Sequence, residues 1–143
     1  MIPFFLFLVL SVGGHSFDYN MIGGSITNAT IDNSTSSLLL HISATQNGVL
    51  ALQLPRTLID SRENGSDVPY LVVEDGMINS GVKENDSSAS RDLVIPFNAT
   101  DQKIVIIGTY AAPEFSQATI LLTALAFSAI GIGSAIVVRT YKK

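Results

Sequence analysis

An uncharged stretch near the C-terminus constrains this chain more than any other feature of its sequence. Residues 118–138 hold no charged side chain, and a helix of that length spans about 31 Å, the thickness of a hydrocarbon core. Arg139, Lys142 and Lys143 follow directly. Because positively charged residues stay on the cytoplasmic side of a membrane, the sequence predicts a transmembrane helix at 118–138. It places this basic tail inside the cell and the middle of the chain outside.

The N-terminus carries a second, shorter apolar stretch. Residues 2–12 are almost purely apolar, but a helix of that length is too short to cross a bilayer and has the size of the central region of a signal peptide. Gly14 and Ser16 place small residues three positions and one position before a cut at Phe17. We therefore expect residues 1–16 to be a signal peptide. The alternative is that this stretch is a buried strand or helix of the domain.

The segment between these ends reads as an all-β domain over residues 17–112. Its apolar residues recur at every second position in short runs bounded by turn residues, which is the pattern of β-strands. Gln46-Asn47-Gly48 and Asp75-Gly76 are typical of tight hairpin turns. Seven short strands favour an immunoglobulin-like β-sandwich, with a closed barrel as the alternative. The expected strands are 24–31, 37–45, 49–54, 68–75, 77–84, 91–98 and 103–110.

Composition excludes several classes of function. The chain has a net charge of −4 and no cysteine, which argues against nucleic-acid binding, disulfides, thiol catalysis and cysteine-ligated metals. No nucleotide-binding or hydrolase motif is present, and His41 stands alone in a predicted strand. We therefore expect no enzymatic activity, no cofactor and no metal site. One alternative stays open, since the acidic loop 60–67 offers oxygen ligands of the kind that Ca²⁺ prefers.

Asparagines of the central segment occur in an unusual sequence context. Five of its eight asparagines begin an Asn-x-Ser/Thr triplet, which is the acceptor pattern for N-glycosylation in an exported domain. The alternative is that turns favour Asn, Ser and Thr for their own hydrogen bonds. The candidate glycosylation sites are Asn28, Asn33, Asn64, Asn85 and Asn98.

A resemblance to a known family adds to these expectations. Pro113-Glu114-Phe115, followed by an apolar span and a basic tail, resembles the PEF-type C-terminal sorting signals of archaeal exported surface proteins. The preceding segment resembles the small exported domain that often comes before that signal. The matching residues are Leu54-Pro55-Arg56-Thr57-Leu58-Ile59-Asp60, Asn64-Gly65-Ser66-Asp67, Val73-Glu74-Asp75-Gly76, Arg91-Asp92-Leu93-Val94-Ile95 and Ile106-Ile107-Gly108-Thr109.

The resemblance implies a sorting signal at residues 113–143 that is recognised by an archaeosortase-like membrane enzyme. Together with the topology, it leads us to expect a membrane-tethered cell-surface protein that is a structural or interaction module of the cell envelope. Its partners would be the membrane, the processing enzyme and other envelope proteins or glycans. Two alternatives are a filament subunit, in which Ser25–Ile31 pairs with a neighbouring sheet edge, and a ligand- or ion-binding surface domain.

Overall fold

A computed structural model describes residues 7–113, and this part of the chain is all-β, without a helix. The predicted transmembrane helix 118–138 lies outside the described residues. The strands are β1 Leu8–Val12, β2 His15–Asp32, β3 Ser37–Pro55, β4 Ile59–Asp60, β5 Arg62–Glu63, β6 Ser66–Asp67, β7 Leu71–Glu74, β8 Met77–Ile78, β9 Lys83–Asp86, β10 Ser90–Phe97, β11 Lys103–Ile107 and β12 Tyr110–Ala111.

Two long antiparallel strands, β2 and β3, organise the fold. They pair from Asp18 opposite Gln53 to Asp32 opposite Ser37, with two register shifts between them. The other edge of β3 is shared, since its first half pairs with β11 and its second half with β10. The sheet continues from β11 to β7 and β8, and from β10 to β9. β3 therefore belongs to both halves of one eight-stranded antiparallel sheet.

The two halves of this sheet share one hydrophobic core. Buried leucines at every second position of β3 provide the central row, and a single apolar cluster joins them to β10, β11 and β7. Strands that pass from one layer to the other are a known way of building a sandwich corner. The expected all-β, sandwich-like architecture is confirmed. The core includes Leu38, Leu40, Ile42, Leu50, Leu52, Leu54, Val72, Leu93, Ile95, Phe97, Ile104 and Ile106.

The hairpin predicted at Gln46–Gly48 is wrong, because β3 runs through these residues without a break. The structure has a corner at this place instead. β2 has a register shift between Ile22 and Gly24, and a side chain at Gly48 would collide with the carbonyl oxygen of Ile22. Glycine at position 48 thus permits close approach of two strands rather than a tight turn. Buried apolar residues occupy even-numbered positions both before and after Gln46–Gly48, which is typical of one continuous strand.

Other strand boundaries also differ from the prediction, since residues 7–113 form β1 and eleven further strands where seven strands were expected. β2 begins at His15 rather than at residue 24, and the predicted strand 77–84 is replaced by the separate strands β8 and β9. The turn at Asp75-Gly76 is confirmed, as both residues have positive φ and connect β7 to β8. Short polar interruptions end the strands here, and the apolar pattern alone did not reveal them.

The predicted signal peptide contributes a strand where the structure describes it. β1 pairs along its whole length with β2, and Gly13 and Gly14, with φ of 57° and 80°, form the turn between them. Val12 and Phe17 are buried in the common core. This arrangement corresponds to the alternative that the stretch is a strand of the domain. Cleavage before Phe17 stays a prediction.

Candidate functional site

A fully buried arginine is the centre of the most highly connected polar site among residues 7–113. Arg91 is 1% exposed. Its guanidinium donates to Asp86 at 3.0 Å, to Glu84 at 3.0 Å and to Asp60 at 3.3 Å. It also donates to the carbonyl oxygens of Ser61 at 2.6 Å and Val68 at 2.9 Å. A buried charge is tolerated only when it is paired and hydrogen-bonded, and Arg91 meets both conditions.

A second arginine extends this site toward the surface. Arg56 donates to both oxygens of Asp67 at 2.7 Å and to Asp60 at 3.1 Å. The hydrogen bond from Arg56 lowers the pKa of the Asp67 carboxyl, and the Asp67 carboxylate in turn raises the pKa of Arg56. Asp60 accepts from both arginines and therefore links them. We call this set the arginine cluster: Arg56, Asp60, Asp67, Tyr70, Glu84, Asp86 and Arg91.

Tyr70 closes the arginine cluster on its apolar side. Its ring lies 4.6 Å from the guanidinium carbon of Arg91, within the range of a cation–π contact. Its hydroxyl donates to the carbonyl oxygen of Ile59 at 2.8 Å, and its backbone N–H donates to Glu84 at 3.1 Å. Burial raises the pKa of Tyr70 and that of Glu84. The phenol therefore stays protonated and serves as a hydrogen-bond donor.

The arginine cluster joins parts of the chain that are far apart in sequence. Arg56, Asp60 and Asp67 lie on the segment after β3, Glu84 and Asp86 on β9, and Arg91 on β10. Their charged groups pair with one another. Few charged atoms are therefore left to bind an external ligand. We interpret the cluster as the element that fixes residues 56–70 against the sheet.

The arginine cluster also bears on the calcium alternative for loop 60–67. The carboxylates of Asp60 and Asp67 both bind arginines, and Asn64-Gly65 forms the turn between β5 and β6. No group of three or more metal-ligating side chains occurs within residues 7–113. The geometry of this loop is therefore that of an ion-paired hairpin.

Sequence reasoning singled out four members of the arginine cluster, as parts of the family resemblance and, for Asp60 and Asp67, as parts of the acidic loop. It did not predict that Arg56, Asp60, Asp67 and Arg91 meet. One signal was present, because Arg91 continues the phase of Leu93, Ile95 and Phe97. Alternation therefore placed Arg91 on the buried face, where an arginine needs carboxylate partners.

A second polar site lies between the β7–β8 hairpin and the loop before β11. Glu74 and Asp101 are both buried there. Glu74 accepts from the Asn79 amide at 2.5 Å, and Asp101 accepts from the backbone N–H of Asn98 at 2.7 Å. Burial, together with a hydrogen bond to Asp101 and its negative charge, raises the pKa of Glu74 to about 7. Glu74 thus holds its proton to a higher pH than an exposed carboxyl group does.

Replacing Glu74 with glutamine tests this assignment. The pKa of Glu74 is raised from 4.5 to about 7. Between these two pH values the folded chain holds a proton that the unfolded chain releases. Stability of the natural chain therefore falls as the pH rises through this range. We expect Glu74→Gln to reduce this fall, measured as the melting temperature by circular dichroism at about pH 5 and about pH 8. The exposed control Glu63→Gln should leave the fall unchanged, and an equal fall in Glu74→Gln would contradict the assignment.

The predicted glycosylation sites are all exposed. Asn28 lies on β2, Asn64 at the tip of the β5–β6 hairpin, Asn85 on β9 and Asn98 after β10. Asn33 differs, because its amide donates to the carbonyl oxygen of Ala111 at 2.8 Å. The structure brings none of these five side chains together with another.

The other predicted site residues lie at or beyond the end of the described chain. Pro113 is the last described residue and is exposed. Glu114, Phe115, Arg139, Lys142 and Lys143 lie outside the described residues. His41 is half-buried and lines an open cleft of about 540 Å³ together with Thr27 and Asp101.

Within residues 7–113, no helix has the length and apolar character needed to cross a membrane. No protein family, curated protein or solved structure matches this chain.

Proposed function

We propose that this protein is exported and tethered to the membrane, with its β-domain at the cell surface as a structural or interaction module of the envelope. One observation carries the proposal: an uncharged 21-residue span at 118–138 separates an acidic domain from Arg139, Lys142 and Lys143. A span of that length followed by a basic stop is the pattern of a single-pass anchor with its tail inside.

The described domain has properties that suit an exterior position. Its acidic surface favours solubility and does not attract anionic lipid. All five Asn-x-Ser/Thr asparagines are exposed, so glycans can be attached without unfolding the sandwich. We interpret its two facing antiparallel layers as immunoglobulin-like.

Processing at both ends belongs to the same proposal. A signal peptidase would remove residues 1–16. An archaeosortase-like enzyme would recognise Pro113-Glu114-Phe115, which follows the domain directly, since Ala112 still donates from its backbone to Leu58 at 2.8 Å. The motif therefore begins directly after a residue that is hydrogen-bonded to the domain. Proline at this point favours an extended backbone, the form in which a processing enzyme binds a peptide.

Protease accessibility in intact cells tests the topology. We expect protease added to intact cells to digest residues 17–112. A tag after Lys143 should stay protected in molecules that have not been processed. Digestion of the tag from outside, or protection of the domain, would contradict the proposal.

The intact mass of the purified protein tests the processing, because it reports both cuts and the glycans. A mass that still includes Thr140–Lys143 in most copies would leave a plain anchor and exclude the sorting step.

A filament subunit is the second candidate function, and one observation favours it. Residues 25–31 of β2 pair with β3 on one side, and no other described strand pairs with their free edge. Such an edge accepts a strand from a neighbour. Shearing of cells should then release polymers of this chain, whereas tethered single molecules in the membrane fraction support the envelope module.

A further inference from the structure

We propose that two processed copies of this chain associate by antiparallel pairing of their β2 strands, along the edge that β1 covers in the full chain. We call residues 17–21 of that strand the covered edge, since β1 pairs with the first three of them, Phe17, Asp18 and Tyr19. The inference rests on the proposed removal of residues 1–16, because this cut takes away the whole of β1 and exposes the covered edge.

The pairing of β1 shows what the covered edge accepts. Leu8 lies opposite Tyr19 and Leu10 lies opposite Phe17, and Leu10 packs against the core beside the buried Val12. With β1 in place, Phe17 is only 3% exposed. Loss of β1 leaves Phe17 uncovered and a row of backbone groups unpaired. Both changes favour the binding of another apolar strand.

The covered edge has the same alternation of apolar residues as β1, the strand that pairs with it. Phe17, Tyr19 and Met21 alternate on the core side. Two copies related by a two-fold axis at Tyr19 place Phe17 opposite Met21 of the second copy. The same register places Asp18 opposite Asn20 rather than opposite another carboxylate, so it brings no like charges together. A self-complementary strand of this kind forms a closed dimer.

Other edges of the described sheet are less suited to self-association. β9 carries Lys83, Glu84 and Asp86 on a short strand together with the glycosylation candidate Asn85, and charges of this kind prevent edge pairing. The free edge of residues 25–31 carries the candidate Asn28. β8 has only two residues. The covered edge holds one charge, Asp18, and no Asn-x-Ser/Thr triplet.

The outer face of the sheet continues this apolar surface. Ile22 lies at the end of the covered edge and opposite Val49, and both side chains are exposed, as is Val94 on β10. Pairing at the covered edge brings the outer faces of two copies into one surface. The partner that fits is therefore a second copy of this chain.

Disulfide cross-linking tests the dimer, since the natural chain has no cysteine. The full-length double variant Asp18→Cys/Asn20→Cys is expressed in a secreting host, and its N-terminus is sequenced. If the chain begins at Phe17, we expect mild oxidation to convert most copies to a covalent dimer, because the proposed register places residues 18 and 20 opposite each other. The matched control Lys83→Cys/Asn85→Cys, on the outer side of β9, should stay monomeric.

The outcomes separate this inference from the proposed function. A chain that begins at Phe17 but does not cross-link, and has a monomeric mass by light scattering, overturns the dimer and leaves export intact. A chain that begins at Met1 contradicts the cleavage, and β1 then still covers the edge. In that case Leu10→Asp/Val12→Asp is added to displace β1, and failure to cross-link with β1 displaced overturns the dimer as well.

Discussion

Replacing Arg91 with methionine should destabilise the domain by about 3–5 kcal/mol, the usual effect of removing one partner from a buried ion pair. The guanidinium of Arg91 is the shared donor for Asp60, Glu84 and Asp86 and for the carbonyl oxygens of two further residues. Methionine has a similar volume but donates no hydrogen bond. Glu84 and Asp86 would then lose their arginine partner, and Asp60 would keep only its contact with Arg56. Chemical denaturation followed by circular dichroism measures the loss.

Two controls make the Arg91 result specific. Arg62→Met removes an arginine whose side chain is 55% exposed and contacts Asp67 and the carbonyl oxygen of Gly65, so it should change stability by less than about 1 kcal/mol. The Arg91→Met defect should also shrink in acid, because protonation neutralises the carboxylates that lose their arginine partner. A loss below about 1 kcal/mol for Arg91→Met would show that the arginine cluster does not hold the fold together.

Leu50→Asp should unfold the domain, with an expected loss of more than about 4 kcal/mol. Leu50 is completely buried in the second half of β3, and no group in the apolar core can pair with an aspartate there. The adjacent control Val49→Asp places the same charge on the outer face, where Val49 is 39% exposed. That variant should stay folded and lose about 1 kcal/mol at most. The reverse result would mean that the register of β3 is wrong by one residue.

The pattern of apolar residues predicted the core of this domain well. Leu50, Leu52 and Leu54 share one face because side chains alternate along a strand, and Leu93, Ile95 and Phe97 follow the same rule. Burial of these faces can be predicted without knowing which strands are neighbours in the sheet. The Asp75-Gly76 turn was predictable for a similar reason, since its backbone conformation depends on the local residues alone.

Predictions that depended on distant neighbours were less successful. Gln46-Asn47-Gly48 has the composition of a hairpin, yet both of its flanks find partners further along the chain, β11 on one side and β10 on the other. Pairing of both halves of β3 with neighbouring strands outweighs a local preference for a turn. The same reasoning applies to residues 8–12, whose apolar character suits a signal peptide and an edge strand equally.

By itself, the sequence determined the all-β class of the domain and the inward face of its strands. These properties follow from side-chain alternation and from the hydration of polar residues, which act locally. Only the tertiary structure decided that one strand would serve both halves of the sheet and that Arg56 and Arg91 would share Asp60. Arg91 lies 31 residues from Asp60, and such a contact forms only when the whole sheet brings the two residues together.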